Sequence, residues 1–482
     1  MMCLPLLHAA QTPTLAKEES MVASDIDPVQ PYQGEKLSVK TKIAYAIGDF
    51  GNSVGPGTVV PFWYLYFLTD VVKLDPALAV LALAIGKLWD AVNDPLVGMI
   101  SDRTRTRWGR RRPFLLFGAV PYGVTFALLW IVPPIQNQIL LTIYFAFMYM
   151  LFDTAFTIVG CPYDALTAEL TLDHDERTSL MTYRMFVSIV SGLLSALVFG
   201  LFVFPAFSDP QMAFLVIGVS CGIAFIPPVL VTFFGTRERA EFRAVESISF
   251  VQSLRFLMGN REWRRVALVR LLSWLPVDIA STVFAYLLIY WTGMTEGESS
   301  IVQALILASA ALFLPLVLWM ARRLEKKTAY IIATASWIVF MLAILLIPQG
   351  AKLPVYVVAI GVGLGVSSAH VLPNAMSPDV VEMDELVSGE RQEGIYSGVN
   401  VFVRKLSTIV VIFLTGMVLK WTGYLESAAQ QPPQTLTAIR LIISVFPAVV
   451  LLASIPIAWR YTLTRQKHGE IQEELRQRWA AG

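Results

Sequence analysis

Apolar stretches close to membrane-spanning length alternate with short charged loops along this chain, and no other feature narrows its fold as far. Crossing a hydrocarbon core takes about 20 consecutive, mostly apolar residues in helical form. Twelve such helices are read near residues 43–69, 76–101, 113–133, 138–166, 180–205, 211–235, 266–292, 300–320, 328–348, 354–378, 394–422 and 437–461. Composition agrees: 56% of the 482 residues are hydrophobic and 15% charged, where a soluble chain would carry about a quarter charged residues. The expected class is an all-α, multi-pass membrane protein.

Arginine and lysine set the orientation. "DRTRTRWGRRRP" (102–113), "ARRLEKK" (321–327), the linker after Thr236 and the tail from Arg460 are basic, whereas "PPIQNQ", "FPAFSDPQ" and "TGMTEGESS" are almost free of positive charge. By the positive-inside rule both termini are cytoplasmic; in a bacterium the membrane would be the cytoplasmic one. "MMCLPLLHAA" lacks a basic n-region and a cleavage site, so no signal peptide is expected, and Met21 is an alternative start.

The halves repeat. Each has a basic turn after its second helix, and a proline followed by acidic sequence after its fourth: "CPYDALTAELTLDHDER" (161–177) and "LPNAMSPDVVEMDELVSGER" (372–391). Parallel repeats of this kind describe the major facilitator fold, with a substrate site between two six-helix bundles at the midplane. The expected divisions are a cytoplasmic tail (1–40), a first bundle (41–236), a connector (237–263), a second bundle (264–462) and a second tail (463–482). The connector has enough amphipathic character to lie on the membrane, or it is a tether.

Ionisable groups persist inside these helices at Asp49, Lys87, Asp90, Asp94, Asp153, Asp164, Arg184, Asp278, Arg404 and Lys405. Each costs about 2.5–3.5 kcal/mol near a helix centre on insertion scales, so those that remain face cavities and have partners. In "KLWDAVNDP" (87–95), Asp90, Asn93 and Asp94 share one helical face, with Lys87 a turn earlier. Two carboxylates and an amide oxygen form a hard-oxygen set for a small cation such as Na⁺. The same cluster suits a proton site, since neighbouring carboxylates resist joint ionisation, or an ion-pair brace with Lys87. Arg184 and Lys405, one from each half, are placed to converge on the central cavity as substrate donors; Lys405 has the alternative of neutralising Asp90 or Asp94. Arg404 points about 100° away from Lys405 and is read as snorkelling or meeting an acidic partner. Arg105, Arg107, Asp379 and Arg391 lie where charge pairs across the bundle interface would gate the cytoplasmic mouth. Cys3, Cys161 and Cys221 show no paired or metal-like spacing, so neither disulfides nor a cofactor are expected.

"KLWDAVNDPLVGMISDRTRTRWGRRRPFLL" (87–116), "YAIGDFGNS" (45–53), "PYDALTAELTLDHDERTSLMTYR" (162–184) and "PDVVEMDELVSGERQEGIYSGVNVFVRK" (378–405) resemble, in order and spacing, the recurring segments of the glycoside–pentoside–hexuronide:cation symporters. The resemblance spans residues 41–462. It implies a Na⁺, Li⁺ or H⁺ site at Asp90, Asn93, Asp94 and Thr157, with Lys87 a modulator, and substrate contacts from Arg184 and Lys405. Where the family's melibiose permease has two galactosyl-binding carboxylates, this chain has Ser53, beside Asn52, and Gly160. Asp164, His370 and Asn400 replace a helix 4 aromatic, a helix 10 tryptophan and a helix 11 glutamine. Losing two carboxylates points to a hexuronide, a sulfonated sugar or a differently oriented neutral glycoside rather than melibiose; Asp164 argues the other way if it faces the cavity. The leading expectation is cation-coupled symport of a sugar, glycoside or hexuronide by alternating access, with membrane lipid the other partner and nucleic acid none. The alternatives are a sodium-coupled carrier of lysolipid-like amphiphiles, and a transporter-shaped sensor. No enzyme constellation is present.

Overall fold

The structure, a computed structural model, describes residues 36–171, 173–238, 259–388, 393–426, 428 and 430–481. Among these, twelve long helices follow in order: α1 (39–71), α2 (Pro76–Arg103), α3 (Arg112–Leu128), α4 (Gln138–Leu170), α5 (174–206), α6 (Pro210–Gly235), α7 (Arg261–Trp291), α8 (Glu296–Arg323), α9 (Lys326–Ala343), α10 (Leu353–Ser388), α11 (Glu393–Trp421) and α12 (Pro433–Trp459). A thirteenth, α13 (Arg465–Ala481), is polar. Their starts carry local signals. Asp75 and Asp209 cap helices that open with Pro76 and Pro210, Asn137 caps α4, and Thr295 with Glu298 makes a reciprocal capping box on α8.

Three boundaries depart from the hydropathy reading. α5 and α7 begin in polar sequence, at His174 and Arg261, and α10 runs through Pro373 and Pro378 to Ser388. Prolines are tolerated in such a helix where nearby polar groups serve the disturbed backbone. Beside these prolines Asn374 donates to the His370 carbonyl at 2.6 Å and Ser377 to that of Pro373 at 3.3 Å. Most of the connector, residues 239–258, and the first tail up to residue 35 lie outside the described residues.

Packing repeats between the halves. In the first bundle α1 meets α5 and α6, α2 meets α4, and α3 meets α4 and α6; in the second α7 meets α11 and α12, α8 meets α10, and α9 meets α10 and α12. Contacts between bundles obey the same pseudo-symmetry: α2 with α11, α5 with α8, and α1 with α7. The outer surface presents large apolar side chains, among them Phe117, Phe186, Phe202, Phe234 and Leu312, as lipid rather than water requires.

The two ends of the interface differ. Away from the termini the bundles are sealed by aromatic and hydroxyl contacts. Tyr66 donates to Glu296 at 3.0 Å, Thr69 bonds Tyr286 at 2.8 Å, and the Asp70 carboxylate accepts from Tyr290 and Tyr424. In the same region α1, α5 and α7 widen locally to i→i+5 bonding, as from Val72 N–H to Phe67 C=O. Gly200 of α5 and Gly297 of α8 approach so closely that a Cβ on either would stand 2.8 Å from the other's carbonyl oxygen, the small-residue contact that lets membrane helices touch.

Towards the termini the charge pairs found among the described residues stay within a bundle. Lys42 pairs with Glu176 at 2.8 Å, Arg110 with Glu169 at 2.6 Å and Lys326 with Asp379 at 2.7 Å. Asp379 also accepts from Tyr461. Arg105 is exposed and Arg107 lies over Trp108, while Arg391 is outside the described residues. Of these gate candidates none that is described pairs across the bundles. Glu238 accepts three backbone N–H groups, from Arg110, Arg111 and Arg112, at the start of α3, where the helix dipole favours a carboxylate. α13 lays Ile471 and Leu475 against Val380, Val381 and Trp263.

Leucine at position 297 would collide with Gly200 and part the sealed end. In a cysteine-free background, Thr69→Cys should be inert to a hydrophilic thiol reagent and become reactive when Gly297→Leu is added. Unchanged protection would show that this glycine contact does not hold the seal.

Candidate functional site

Midway along the interface, α2 presents Asp90 and Asn93, both buried, and Asp94 at the edge of an opening. Their i, i+3, i+4 spacing on an uninterrupted helix puts all three on one face. Lys405 from α11 of the other bundle lies between the carboxylates: its Nζ is 2.6 Å from Asp90 Oδ1 and also bonds Asp94 Oδ2. Thr157 of α4 donates to the other Asp94 oxygen at 3.0 Å. Lys87 stands further off, 3.7 Å from Asp90 Oδ2, with its ammonium near the Tyr149 ring. Asn93 Nδ2 and Asp153 Oδ2 are buried with no hydrogen-bond partner among the described residues.

The donor set is two carboxylates, a hydroxyl and an amide. Hard oxygens of this kind suit Na⁺ or Li⁺, and an ammonium group already sits among them. Among the described residues no three His, Cys, Asp or Glu side chains converge as a transition-metal site would need.

Two hollows flank this cluster. The larger, about 220 Å³, is lined by Lys87, Asp90, Asp153, Asp278, Arg404, Lys405 and Thr408 together with Tyr149, Phe152 and Phe156. The smaller, about 80 Å³, is lined by Asn52, Asp94, Thr157, Gly160, Cys161 and Asp164. Asp90, Asn93, Asp94 and Thr157 are thus brought together, with Lys405 among them.

The other sequence-derived candidates are dispersed. Asn52, Ser53, Arg184 and Asp164 assemble around Asp49 of α1. Arg184 reaches Asp49 at 2.8 Å and Asp164 at 2.7 Å, while Ser53 and Asn52 donate to Asp49 at 2.8 and 3.2 Å. His370 packs on Trp274 and bonds the Val366 carbonyl. The side chain of Asn400 is outside the described residues. Arg404 meets an acidic partner, Asp278, at 3.4 Å. Sequence reasoning gave no role to Asp278, Thr408 or the Asp70 tyrosine cluster. For the last, the signal available was the recurrence of tyrosine near the ends of α1 and α7, at Tyr66, Tyr286 and Tyr290.

Comparison with known proteins agrees with this architecture. The family model described as MFS/sugar transport protein matches residues 44–465. The inner membrane symporter YicJ of Escherichia coli (strain K12) is 29% identical, over 92% of this chain and 96% of its own. Sodium-dependent lysophosphatidylcholine symporter 1-A of Danio rerio is 28% identical, over 91% of this chain and 88% of its own. Among solved structures, a bacterial homologue of the iron transporter ferroportin in an inward-facing state superposes with a TM-score of 0.65 at 13% identity, covering 88% of this chain and 99% of that one, which bears on the fold alone. The chain belongs to the MFS/sugar transport family, the glycoside–pentoside–hexuronide:cation type of the major facilitator superfamily, and is a cation-coupled symporter of that kind.

Proposed function

We propose that the chain couples Na⁺ entry to uptake of a sugar or glycoside by alternating access, with both termini cytoplasmic and the seal at the outer side, so that the structure corresponds to the inward-open state. One observation carries this reading: the Lys405 ammonium of one bundle lies between the Asp90 and Asp94 carboxylates of the other. An arriving Na⁺ seeks the same oxygens, together with Thr157 and Asn93. Ion and lysine therefore exclude each other, and ion occupancy changes how tightly α2 is tied to α11. Alternating access needs such a link between binding and bundle contact. Li⁺ fits the same oxygens; H⁺ would release the lysine by neutralising a carboxylate. No cofactor or catalytic step enters this cycle, and the protein acts as a carrier rather than an enzyme.

The substrate reading rests on the cavity. Its volume of about 220 Å³ is below the roughly 300–1,000 Å³ of sites that enclose drug-sized ligands, and its wall mixes charged groups, hydroxyls and aromatic rings. A single sugar ring suits that size and polarity. The family's description as sugar transport proteins supports it. A second reading has its own observation: an apolar groove of about 440 Å³ between α7, α11 and α12, lined by Ile279, Val411, Leu414, Leu441 and Phe446. An acyl chain would fit there, as a lysophospholipid substrate requires, and a relative's name includes that substrate.

Asp94→Asn removes one of the two formal charges available to the ion. Losing one of its two anionic ligands lowers Na⁺ affinity by at least about 10- to 100-fold, so Na⁺-driven accumulation in vesicles should vanish while the protein remains folded. Normal accumulation by this variant would remove the ion from this site. In the same vesicles, methyl glycosides should compete for uptake and lysophosphatidylcholine should not; the reverse pattern would transfer the assignment to the lipid reading.

A further inference from the structure

Each bundle places an aspartate–arginine pair at matching helices of the repeat: Asp49 on α1 with Arg184 on α5, and Asp278 on α7 with Arg404 on α11. Both arginines also lie over an aromatic ring, Arg184 over Tyr163 at 4.7 Å and Arg404 over Trp274 at 3.5 Å. The pairs differ in the hydrogen-bonding capacity they have left. Arg184 directs Nε and Nη2 to Asp49 at 2.9 and 2.8 Å and Nη1 to Asp164 at 2.7 Å, and Asp49 is further engaged by Ser53 and Asn52. Each guanidinium nitrogen of Arg184 is thus answered, while Asp164 itself stays open to the smaller hollow. Arg404 reaches Asp278 only at 3.4 Å, beyond the usual range for N–H···O, and its Nη1 is buried with no hydrogen-bond partner among the described residues. A buried, unanswered guanidinium donor is unfavourable and calls for an explanation.

The surroundings suggest what answers it. Asp278, Arg404 and Thr408 all line the central cavity, and Thr408 donates to the second Asp278 oxygen at 2.9 Å. The charged side chains lining that cavity balance: Lys87, Arg404 and Lys405 against Asp90, Asp153 and Asp278. By that formal count a ligand there has no excess charge to neutralise. It needs acceptors for the guanidinium and a donor for the carboxylate, side by side. Adjacent hydroxyls offer both, because each accepts and donates at once, and the planar guanidinium fork matches two neighbouring oxygens.

We propose that Asp278 and Arg404 form the substrate-gripping subsite of the second bundle, and that the ligand is a neutral sugar presenting a vicinal diol. This rests on the sugar-symport reading and sharpens it. Arg404 and Lys405 are consecutive on α11, so the ion-responsive lysine and the sugar-binding arginine move as one piece. Displacing Lys405 from the carboxylates shifts the helix that carries the grip.

The test reads ligand-induced rises in the unfolding temperature of the purified full chain. The probes are methyl β-D-glucoside, methyl β-D-galactoside, methyl β-D-glucuronide and lysophosphatidylcholine, each with and without NaCl. The wild type is compared with Asp278→Asn and with Arg404→Lys, which keeps a positive charge beside Asp278 but loses the fork. We expect a neutral glycoside to stabilise the wild type. Both substitutions should raise its half-saturating concentration about 10- to 100-fold and leave the Na⁺ response unchanged. Unchanged glycoside binding in both variants overturns the subsite, as does a wild type stabilised only by the glucuronide or the lysolipid. A wild type that binds glycoside through Arg404 but ignores Na⁺ upholds the subsite and defeats sodium coupling. A Na⁺ response with every neutral glycoside silent does the opposite.

Discussion

The proposed transport cycle depends on one ammonium group held by two carboxylates across the bundle interface. Lys405 is tied to Asp90 and Asp94 from the opposite half of the chain. Isolated, each of these charges would be expensive within the membrane; together they satisfy one another, at the level where the bundles must separate and rejoin. Such a contact is well suited to a switch under the proposed competition, in which a monovalent ion would replace the lysine with little change in local charge. Taking away a partner outright is a different matter, since a buried charge left alone is strongly destabilising.

The two ends of the interface use different physics. The sealed end relies on tyrosine hydroxyls around Asp70 and on the backbone approach of Gly200 and Gly297. These contacts are short-ranged and vanish once the helices part by a few ångströms. At the end bearing the termini the pairs among the described residues stay within bundles, as with Lys326 and Asp379 or Arg110 and Glu169. They stiffen each bundle as a body and leave the gap between bundles unbridged among the described residues. Stiffened halves, a seal of short-range contacts and a central ion pair that the proposed mechanism makes exchangeable are the parts a rocking cycle needs.

Local periodicity made much of this legible in the sequence. The Asp90, Asn93, Asp94 face follows from helical geometry, and the six-plus-six repeat follows from hydropathy and charge. Thr157 came only through family resemblance, because nothing local ties a helix 4 threonine to helix 2. The partners of Lys405 lie 315 and 311 residues away, a distance over which sequence patterning sets no contact, so both readings of that lysine stood open. Asp278 and Arg404, 126 residues apart, meet the same limit, and sequence alone leaves Arg404 snorkelling or acid-paired. The helix 465–481 falls in the segment expected to be a tail, although Ile471 and Leu475 stand one turn apart.

The competition between lysine and ion for the same oxygens is the central claim, and Lys405→Met addresses it directly. The quantity to measure is the unfolding temperature of purified wild type and variant across a Na⁺ titration at fixed pH and ionic strength. Without its internal counter-ion the variant should unfold at a lower temperature in Na⁺-free buffer. It should then recover more per decade of Na⁺ than the wild type and saturate at a lower concentration, because nothing now competes for Asp90 and Asp94. A variant that is destabilised equally at every Na⁺ concentration would contradict the account and reduce Lys405 to a structural brace.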